Sequence, residues 1–222
     1  MSEEKDNLPE FVTKAWKDAR GRMDDWADGA PLFTLAVITD VHTGNNQRYK
    51  HLGYLDGIAD RYPFDLIGNL GDIGLDFSAD PEVETDALRE QILAWTREGM
   101  SPRHPWIFVK GNHDRMLPRE RLSVLNRSFA ETNRRIRFGT PLCDYGAVDY
   151  PEKKVRFLFL DTADNDERVH FSVTKGQLAF VTEELASCPG GWRLILSSHF
   201  SPDPYIGKWR SYPTDGEFAE MR

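Results

Sequence analysis

The amino-acid sequence predicts an α/β protein with a largely parallel or mixed β-sheet. Two observations support this class. The chain has 222 residues, of which 40% are hydrophobic and 29% are charged, so it can bury the core of one domain. Short apolar runs alternate with longer stretches of helical periodicity, as in βαβ units. The predicted strands are residues 32–39, 64–70, 105–110, 154–160 and 192–198, and the predicted helices are residues 46–60, 82–99, 119–134 and 174–186.

The first predicted element is an amphipathic helix at residues 9–26. Apolar residues such as Phe11 and Trp16 recur there at helical spacing, with charged residues between them. We interpret residues 1–30 as a helical extension and residues 31–222 as the main domain. The extension either packs against that domain or binds a partner.

The strand predictions rest on runs of apolar, β-branched and aromatic residues, namely LFTLAVIT, FDLIGNL, PWIFVK, KVRFLFL and WRLILSS. The helix at residues 82–99 rests on Leu88, Ile92 and Trp95, which share one helical face. Residues 145–160 have a second interpretation, because the segment PEKK separates two β-like runs and is typical of an antiparallel hairpin.

Charge and targeting signals limit the function classes. The net charge is −8, which argues against a broad nucleic-acid-binding surface. The N-terminal sequence MSEEKDNLPE lacks the blocks of a signal peptide, and no apolar run reaches the ~18 residues of a membrane span. Cys143 and Cys188 have the spacing of neither a metal site nor a disulfide framework. We therefore expect a soluble cytoplasmic protein with reduced cysteines.

Polar residues follow four of the predicted strands, in the segments TDVHTG, GNLGDIG, VKGNHDR and SSHFSP. Ligands of α/β proteins bind beyond the carboxyl ends of the strands. Asp40 and His42 are two positions apart, so in an extended strand their side chains point to the same side. Carboxylate, amide and imidazole groups without thiolates favour a catalytic divalent metal site. The candidate ligands are Asp40, His42, Asp72, Asn112 and His199.

Each of these segments also has an ordinary explanation as a polar strand end, a turn or a helix cap. Their joint occurrence at four strand ends favours a site. The remaining histidines do not share this placement, and we interpret them as structural or solvated; they are His51, His104 and His170. Three cations either contact a substrate phosphate or are solvated; they are Arg115, Lys208 and Arg210.

The motifs Asp40-Val-His42, Gly71-Asp72, Gly111-Asn112-His113-Asp114 and Ser198-His199, in this order, resemble the calcineurin-like metallophosphoesterases. The GNHD segment is the most specific of them, and the resemblance extends over about residues 32–202. It implies two mixed β-sheets in a sandwich flanked by helices, with two divalent metal ions at the strand ends.

The resemblance also implies a role for each motif residue. Asp40 and His42 would bind the first metal, and Asp72 would bridge both metals. Asn112 and His199 would bind the second metal. The implied catalytic residues are His113, as a general acid or charge stabiliser that faces the substrate, and Asp114, which orients it.

The family pattern continues with a Gly-His-x-His element, and no histidine follows His199 before Arg222. Five of the seven expected metal ligands are therefore present. We expect that the domain is incomplete at its C-terminus. The alternatives are that Asp203 or Asp215 substitutes, that another chain supplies the histidines, or that the fold is catalytically inactive.

The expected function is hydrolysis of a phosphomonoester or phosphodiester by attack of metal-bound hydroxide, with Mn, Fe or Zn as the metal. The expected partner is a small phosphorylated substrate. Two alternatives are an inactive interaction protein with the same fold and a nuclease of the same superfamily. The sequence makes no prediction about the oligomeric state.

Overall fold

A three-stranded parallel sheet holds the first half of the domain together. The computed structural model describes residues 8–26, 33–42, 49–73, 94, 97–101, 103–114, 119–132, 134–163 and 173–200. In the first sheet the strand order is β1 (Leu35–Ile38), β2 (Leu66–Asn69) and β3 (Trp106–Phe108). Leu35 pairs with Leu66, and Ile67 pairs with Trp106, so all three carboxyl ends meet at one edge.

A four-stranded mixed sheet follows in the second half. Its order is β4 (Ile136–Phe138), β5 (Gly146–Tyr150), β6 (Val155–Leu160) and β7 (Arg193–Ser198). The pairs β4–β5 and β5–β6 are antiparallel, and β6–β7 is parallel. The predicted α/β fold with two sheets is confirmed, and residues 145–160 form the hairpin that the PEKK segment indicated.

The structure gives the bounds of four α-helices within its described residues: α1 (Glu10–Trp26), α2 (Tyr49–Arg61), α3 (Arg119–Thr132) and α4 (Lys175–Ala186). Helix α1 lies within the predicted extension and packs against the segment after α2. The ring of Trp16 lies 5.4 Å from the ring of Phe64 and 5.3 Å from that of Tyr62. Helix α4 begins after Thr174, whose side chain accepts a hydrogen bond from the Gln177 N–H.

The alternating side chains of β6 join two cores. Val155, Phe157 and Phe159 face the larger core, which also contains buried residues of β2, β3, α2 and α3. Leu158 and Leu160 face a smaller core on the side of α4. Because both faces are covered, the strand reads as a nearly continuous apolar run in the sequence.

Two elements differ from the predictions. Strand β4 was not predicted, because it has three residues and only Ile136 is buried, which leaves no periodic pattern. The helix predicted at residues 82–99 falls largely outside the described residues, of which 94 and 97–99 are helical. Within the described part of the chain, no helix is long and apolar enough to cross a membrane.

Candidate metal centre

Two glycines bring the loops after β2 and β3 into direct contact. Gly71 has a φ of +102°, and a Cβ at this position would collide with the backbone of Gly111. A Cβ at Gly111 would collide with the backbone and carboxylate of Asp72. Only glycine permits this close approach of two backbones. The contact places Asp72 beside the GNHD segment.

Hydrogen bonds to one buried carboxylate hold the same two loops together. Asp114 is fully buried, and its Oδ2 accepts the N–H of Asp72 and the N–H of Gly111, each at 2.8 Å. The Asn112–Asp114 segment forms one 3-10 turn, separated from the end of β3 by three residues. The described contacts of Asp114 therefore position the loops around the GNHD segment, and its predicted role in orienting His113 stays a prediction.

The loop after β1 joins this arrangement through its backbone. The Asp40 N–H donates to the Gly71 carbonyl at 3.0 Å, and the His42 N–H donates to the Asp72 carbonyl at 2.8 Å. Asp40, His42 and Asp72 all have left-handed backbone conformations, with φ of 57°, 45° and 57°. Non-glycine residues rarely adopt such conformations, which cluster at functional sites.

Asp40 and His42 differ in exposure although both have left-handed backbone. Strand β1 ends at Ile38, so the alternation rule for extended strands does not apply to the two residues. His42 is buried, whereas Asp40 is exposed and accepts a hydrogen bond from the Thr39 hydroxyl at 2.7 Å. The expectation that both side chains point to the same side therefore stays a prediction.

Asp72 lies at the centre of the cluster, with two sets of donor groups around it. One ligand atom each from His42, Asp72 and His113 lie within 4.8 Å of one another. The rings of His42 and His113 are 4.8 Å apart, and the His113 Nε2 is 3.9 Å from the Asp72 Oδ2. The Asp40 carboxylate lies outside this group.

His199 contacts both Asp72 and Asn112. The His199 Nε2 lies 3.4 Å from the Asp72 Oδ2 and 3.0 Å from the Asn112 Oδ1. The His199 Nδ1 lies 2.7 Å from the Leu70 carbonyl oxygen and donates to it. A backbone carbonyl on one ring nitrogen is the usual partner of a metal-binding histidine, because it directs the other nitrogen toward the metal.

The electrostatics of the cluster favour an ionised carboxylate. Burial by itself raises the pKa of Asp72, but the hydrogen bond and charge of His199 and the His113 N–H outweigh burial, so the pKa is lowered. Burial lowers the pKa of His199, and the Asp72 carboxylate and Leu70 carbonyl reverse that shift, so the pKa is raised. The Asp72 carboxylate is thus kept ionised in a buried position beside His199, and a metal ion bound there would take the place of the proton on the His199 ring.

The donor chemistry fits divalent metal ions. Two imidazole groups, one carboxylate and one amide oxygen converge at the strand ends, contributed by His42, His199, Asp72 and Asn112. This nitrogen and oxygen set suits Mn, Fe and Zn, and carboxylates are common bridging ligands. The structure brings these four predicted ligands together with His113, and it leaves the Asp40 carboxylate outside.

Two positioning groups were not identified from the sequence. One is the Leu70 carbonyl, which carries no side-chain signal. The other is the buried Thr162, whose Oγ1 accepts the N–H of Phe200, next to His199, at 3.1 Å. Thr162 follows strand β6, so the strand-end rule that identified the ligands could have found it. Several sequence candidates lie outside the described residues: Arg115, His170, Asp203, Lys208, Arg210 and Asp215.

A second cluster of acidic and imidazole groups lies away from this centre. Asp56, Asp60 and His104 bring ligand-type atoms within 4.8 Å of one another. The Arg103 Nη2 lies 2.9 Å from the Oδ2 atoms of both carboxylates, so a guanidinium already supplies the cation. The interpretation of His104 as structural therefore agrees with its surroundings.

A parallel sheet with metal-type donors at its carboxyl edge is the arrangement of an α/β protein with a ligand site beyond its strand ends. The sequence matches the calcineurin-like phosphoesterase family over residues 33–220. The chain therefore belongs to that family of metal-dependent phosphoesterases, and the resemblance found in the strand-end motifs is confirmed. Family membership implies divalent metal ions at this centre.

One solved structure with a similar fold is a dimetal phosphatase from Danio rerio. It has a TM-score of 0.52 and 18% sequence identity, and the similarity covers 79% of this chain and 72% of that chain. At this identity the comparison supports the fold. No curated protein matches the sequence.

Proposed function

We propose that the protein hydrolyses a phosphomonoester or phosphodiester of a small phosphorylated substrate with two divalent metal ions, which are Mn, Fe or Zn. One observation carries the proposal. The buried Asp72 carboxylate lies close to two groups of donors: it clusters with His42 and His113, and its Oδ2 lies 3.4 Å from the His199 Nε2, which in turn contacts the Asn112 Oδ1. A carboxylate between two donor groups is suited to bridge two cations.

The chain's own residues divide between the two metal positions. His42 and Asp40 would hold the first cation, which requires that the exposed Asp40 side chain rotates away from Thr39. Asn112 and His199 would hold the second cation, and the Leu70 carbonyl fixes the tautomer of His199. When bound, two such cations supply Lewis-acid charge to the phosphate and lower the pKa of a coordinated water.

His113 is suited to move a proton to the leaving oxygen. Its backbone N–H donates to the Asp72 Oδ1 at 2.8 Å, which fixes its position beside the proposed bridge. Its ring is part-buried, with 18% of the side chain exposed, so it faces both the cluster and the solvent. A positioned general acid of this kind contributes ~10²–10⁴-fold to the rate.

The test measures metal binding and hydrolysis by the full chain. The protein is stripped with EDTA, reloaded with Mn²⁺ or Zn²⁺, and assayed with p-nitrophenyl phosphate and bis-p-nitrophenyl phosphate. We expect about two metal ions per chain by elemental analysis, and hydrolysis that depends on the metal. Comparison of the two substrates assigns monoesterase or diesterase activity.

Two histidine variants provide a matched comparison. His199→Gln removes a proposed ligand and should lower both metal content and activity, whereas His104→Gln changes a histidine in the Arg103 cluster and should lower neither. A folded chain that binds no metal and cleaves neither ester would contradict the proposal and favour an interaction protein. Cleavage of DNA without cleavage of either small ester would favour a nuclease.

A further inference from the structure

A second cavity lies at the opposite edge of the first sheet. Its volume is about 500 Å³, and it lies between α1, the end of α2 and the segments that precede β1 and β2. Volumes of ~300–1,000 Å³ are typical of small-molecule sites. Thr34 precedes β1 in its wall, whereas Asp40 follows β1 at the metal centre. At ~3.3 Å per residue the two sites are roughly 15–20 Å apart.

Three aromatic rings form one wall of this cavity. Trp16 of α1 packs edge-on against Phe64, at an interplanar angle of 80°, and is tilted by 46° against Tyr62. The rings come from two separate segments and support one another. Such a wall offers faces for stacking of a planar ligand.

Three cations from three different elements also line the cavity: Arg20 of α1, Arg61 at the end of α2, and Lys153 before β6. One carboxylate, Asp65, accompanies them. The lining is thus net positive in a chain whose net charge is −8. A concave, positively charged surface on an acidic protein raises the local concentration of anions.

The single carboxylate is already satisfied by its neighbours. The Asp65 Oδ2 accepts the Thr34 N–H at 2.7 Å and hydroxyl at 2.8 Å, and it lies 2.9 Å from the Lys153 Nζ. Burial raises the pKa of Asp65, but these partners outweigh burial and the pKa is lowered. Asp65 therefore stays ionised and contacts Lys153, and Arg20 and Arg61 are the other two cations of the lining.

We propose that this cavity binds a mononucleotide-like aromatic phosphate, whose ring stacks on the Trp16 wall and whose phosphate is bound by Arg20 and Arg61. An aromatic ring with a nearby phosphate dianion contacts both the aromatic faces and the cations of the cavity. An apolar ligand would contact only the rings, and a free inorganic anion would contact only the cations. The site is separate from the metal centre and independent of the proposed hydrolysis.

The experiment titrates AMP into the full chain in buffer with EDTA, so that metal-dependent binding does not contribute to the signal. Isothermal titration calorimetry is run with AMP, adenosine and inorganic phosphate. We expect one AMP per chain, with adenosine and phosphate each at least tenfold weaker. Arg20→Gln and Arg61→Gln should each weaken AMP binding by tenfold or more, and Trp16→Leu should weaken it by a similar factor.

Two variants serve as controls. Arg22→Gln changes an exposed arginine on the same helix as Arg20 and should leave the affinity for AMP unchanged. Asp72→Asn alters the metal centre and should also leave it unchanged. Circular dichroism confirms that each variant is folded, and the exposed Arg61 keeps the test valid if Trp16→Leu is unstable.

Three outcomes would overturn the inference. The first is no heat of AMP binding at millimolar concentration, and the second is equal affinity for AMP and inorganic phosphate. The third is a loss of binding in Asp72→Asn with full retention in Arg20→Gln and Arg61→Gln, which would place AMP at the metal centre. Because hydrolysis is not measured, a failure of the proposed function leaves these results unaffected.

Discussion

The two sheets differ in how many predicted site residues they contribute and in how their strands are buried. Strands β1 to β3 of the first sheet have three or four residues each, and the loops after them contribute six of the seven predicted site residues. The second sheet contributes His199 alone. Its strand β6 has six residues, and all six are buried. The first sheet thus combines the buried strands β2 and β3 with the functional groups that follow them, whereas the second sheet has one fully buried strand, β6, that contacts both cores.

Left-handed backbone conformations are also more frequent in the loops after the first sheet than elsewhere in the described residues. Five described non-glycine residues have positive φ, and three of them follow strands of the first sheet: Asp40, His42 and Asp72. Each residue of this kind costs about 1–3 kcal/mol. Such a cost is tolerated where the surrounding structure is well packed. We expect mutations at the strand ends of the first sheet to change mainly metal binding and activity, and mutations of the ion pairs of the second sheet to change mainly stability.

The largest expected effect concerns the centre of the first sheet. Asp72→Asn removes the charge of the proposed bridge, so metal binding and hydrolysis should fall together, the rate by roughly 10³-fold or more. Asparagine can still accept the His113 N–H, so thermal unfolding of the EDTA-treated variant should change little. Full metal occupancy in the variant, measured by elemental analysis, would contradict the bridging role.

His113→Gln tests whether metal binding and catalysis depend on different residues of the first sheet. If His113 donates a proton, the rate should fall by ~10²–10⁴-fold while metal content stays near that of the wild type. His113 also lies within the group formed with His42 and Asp72, so the opposite result has a clear meaning. A parallel loss of metal would identify His113 as a ligand.

In the second sheet the corresponding test concerns stability. Arg156 makes a bidentate pair with Asp149, with both distances 2.8 Å, and Arg137 lies 3.1 Å from the same carboxylate. Asp149→Asn should lower the free energy of unfolding by roughly 1.5–3 kcal/mol. Metal affinity should be unchanged. Glu152→Gln, which alters an exposed pair with Arg135, is the control and should change stability little.

The same pair gives a pH dependence. Burial raises the pKa of Asp149, but Arg156 and Arg137 outweigh it, so the folded pKa lies below the unfolded value of ~3.9. The stabilisation is therefore present above that value and is lost as the pH falls through the folded pKa. We expect the difference in free energy of unfolding between wild type and Asp149→Asn to become smaller in acid. Denaturant unfolding between pH 7 and pH 3 measures it.

The smallest effect is expected where the sheets meet. Thr162→Val removes the hydroxyl that holds the Phe200 N–H and should weaken Mn²⁺ binding by roughly tenfold, because His199 is less well positioned. Thr162→Ser keeps the hydroxyl and should restore the affinity. Equal Mn²⁺ affinity in the valine and serine variants, measured by calorimetry, would show that Thr162 does not position His199.

Much of the fold followed from local patterns. The apolar runs located five of the seven described strands, because buried strands of this class have few polar interruptions, and the hairpin interpretation of residues 145–160 added β5. The GNHD segment and its neighbours located the cluster around Asp72, since strand ends in a parallel sheet converge. Both are properties of short stretches of sequence, which a single chain displays directly.

Other features depend on tertiary contacts that leave no such pattern. Asp40 and His42 have left-handed backbone, which Asp and His allow but do not require, so the sequence does not indicate it. The proximity of His104 to Asp56 joins residues 48 positions apart and could not be anticipated from spacing. The three-residue strand β4 is defined by pairing with β5 and not by its own sequence.

The contact between Gly71 and Gly111 also bears on how this centre can change. Because two main chains touch there and Asp114 holds both, the closest approach of the β2 and β3 loops depends mainly on groups that are not proposed ligands. Donor residues can therefore be exchanged while the loops keep their spacing. A single methyl group at Gly111 would do the reverse, moving the loops apart with every donor still present.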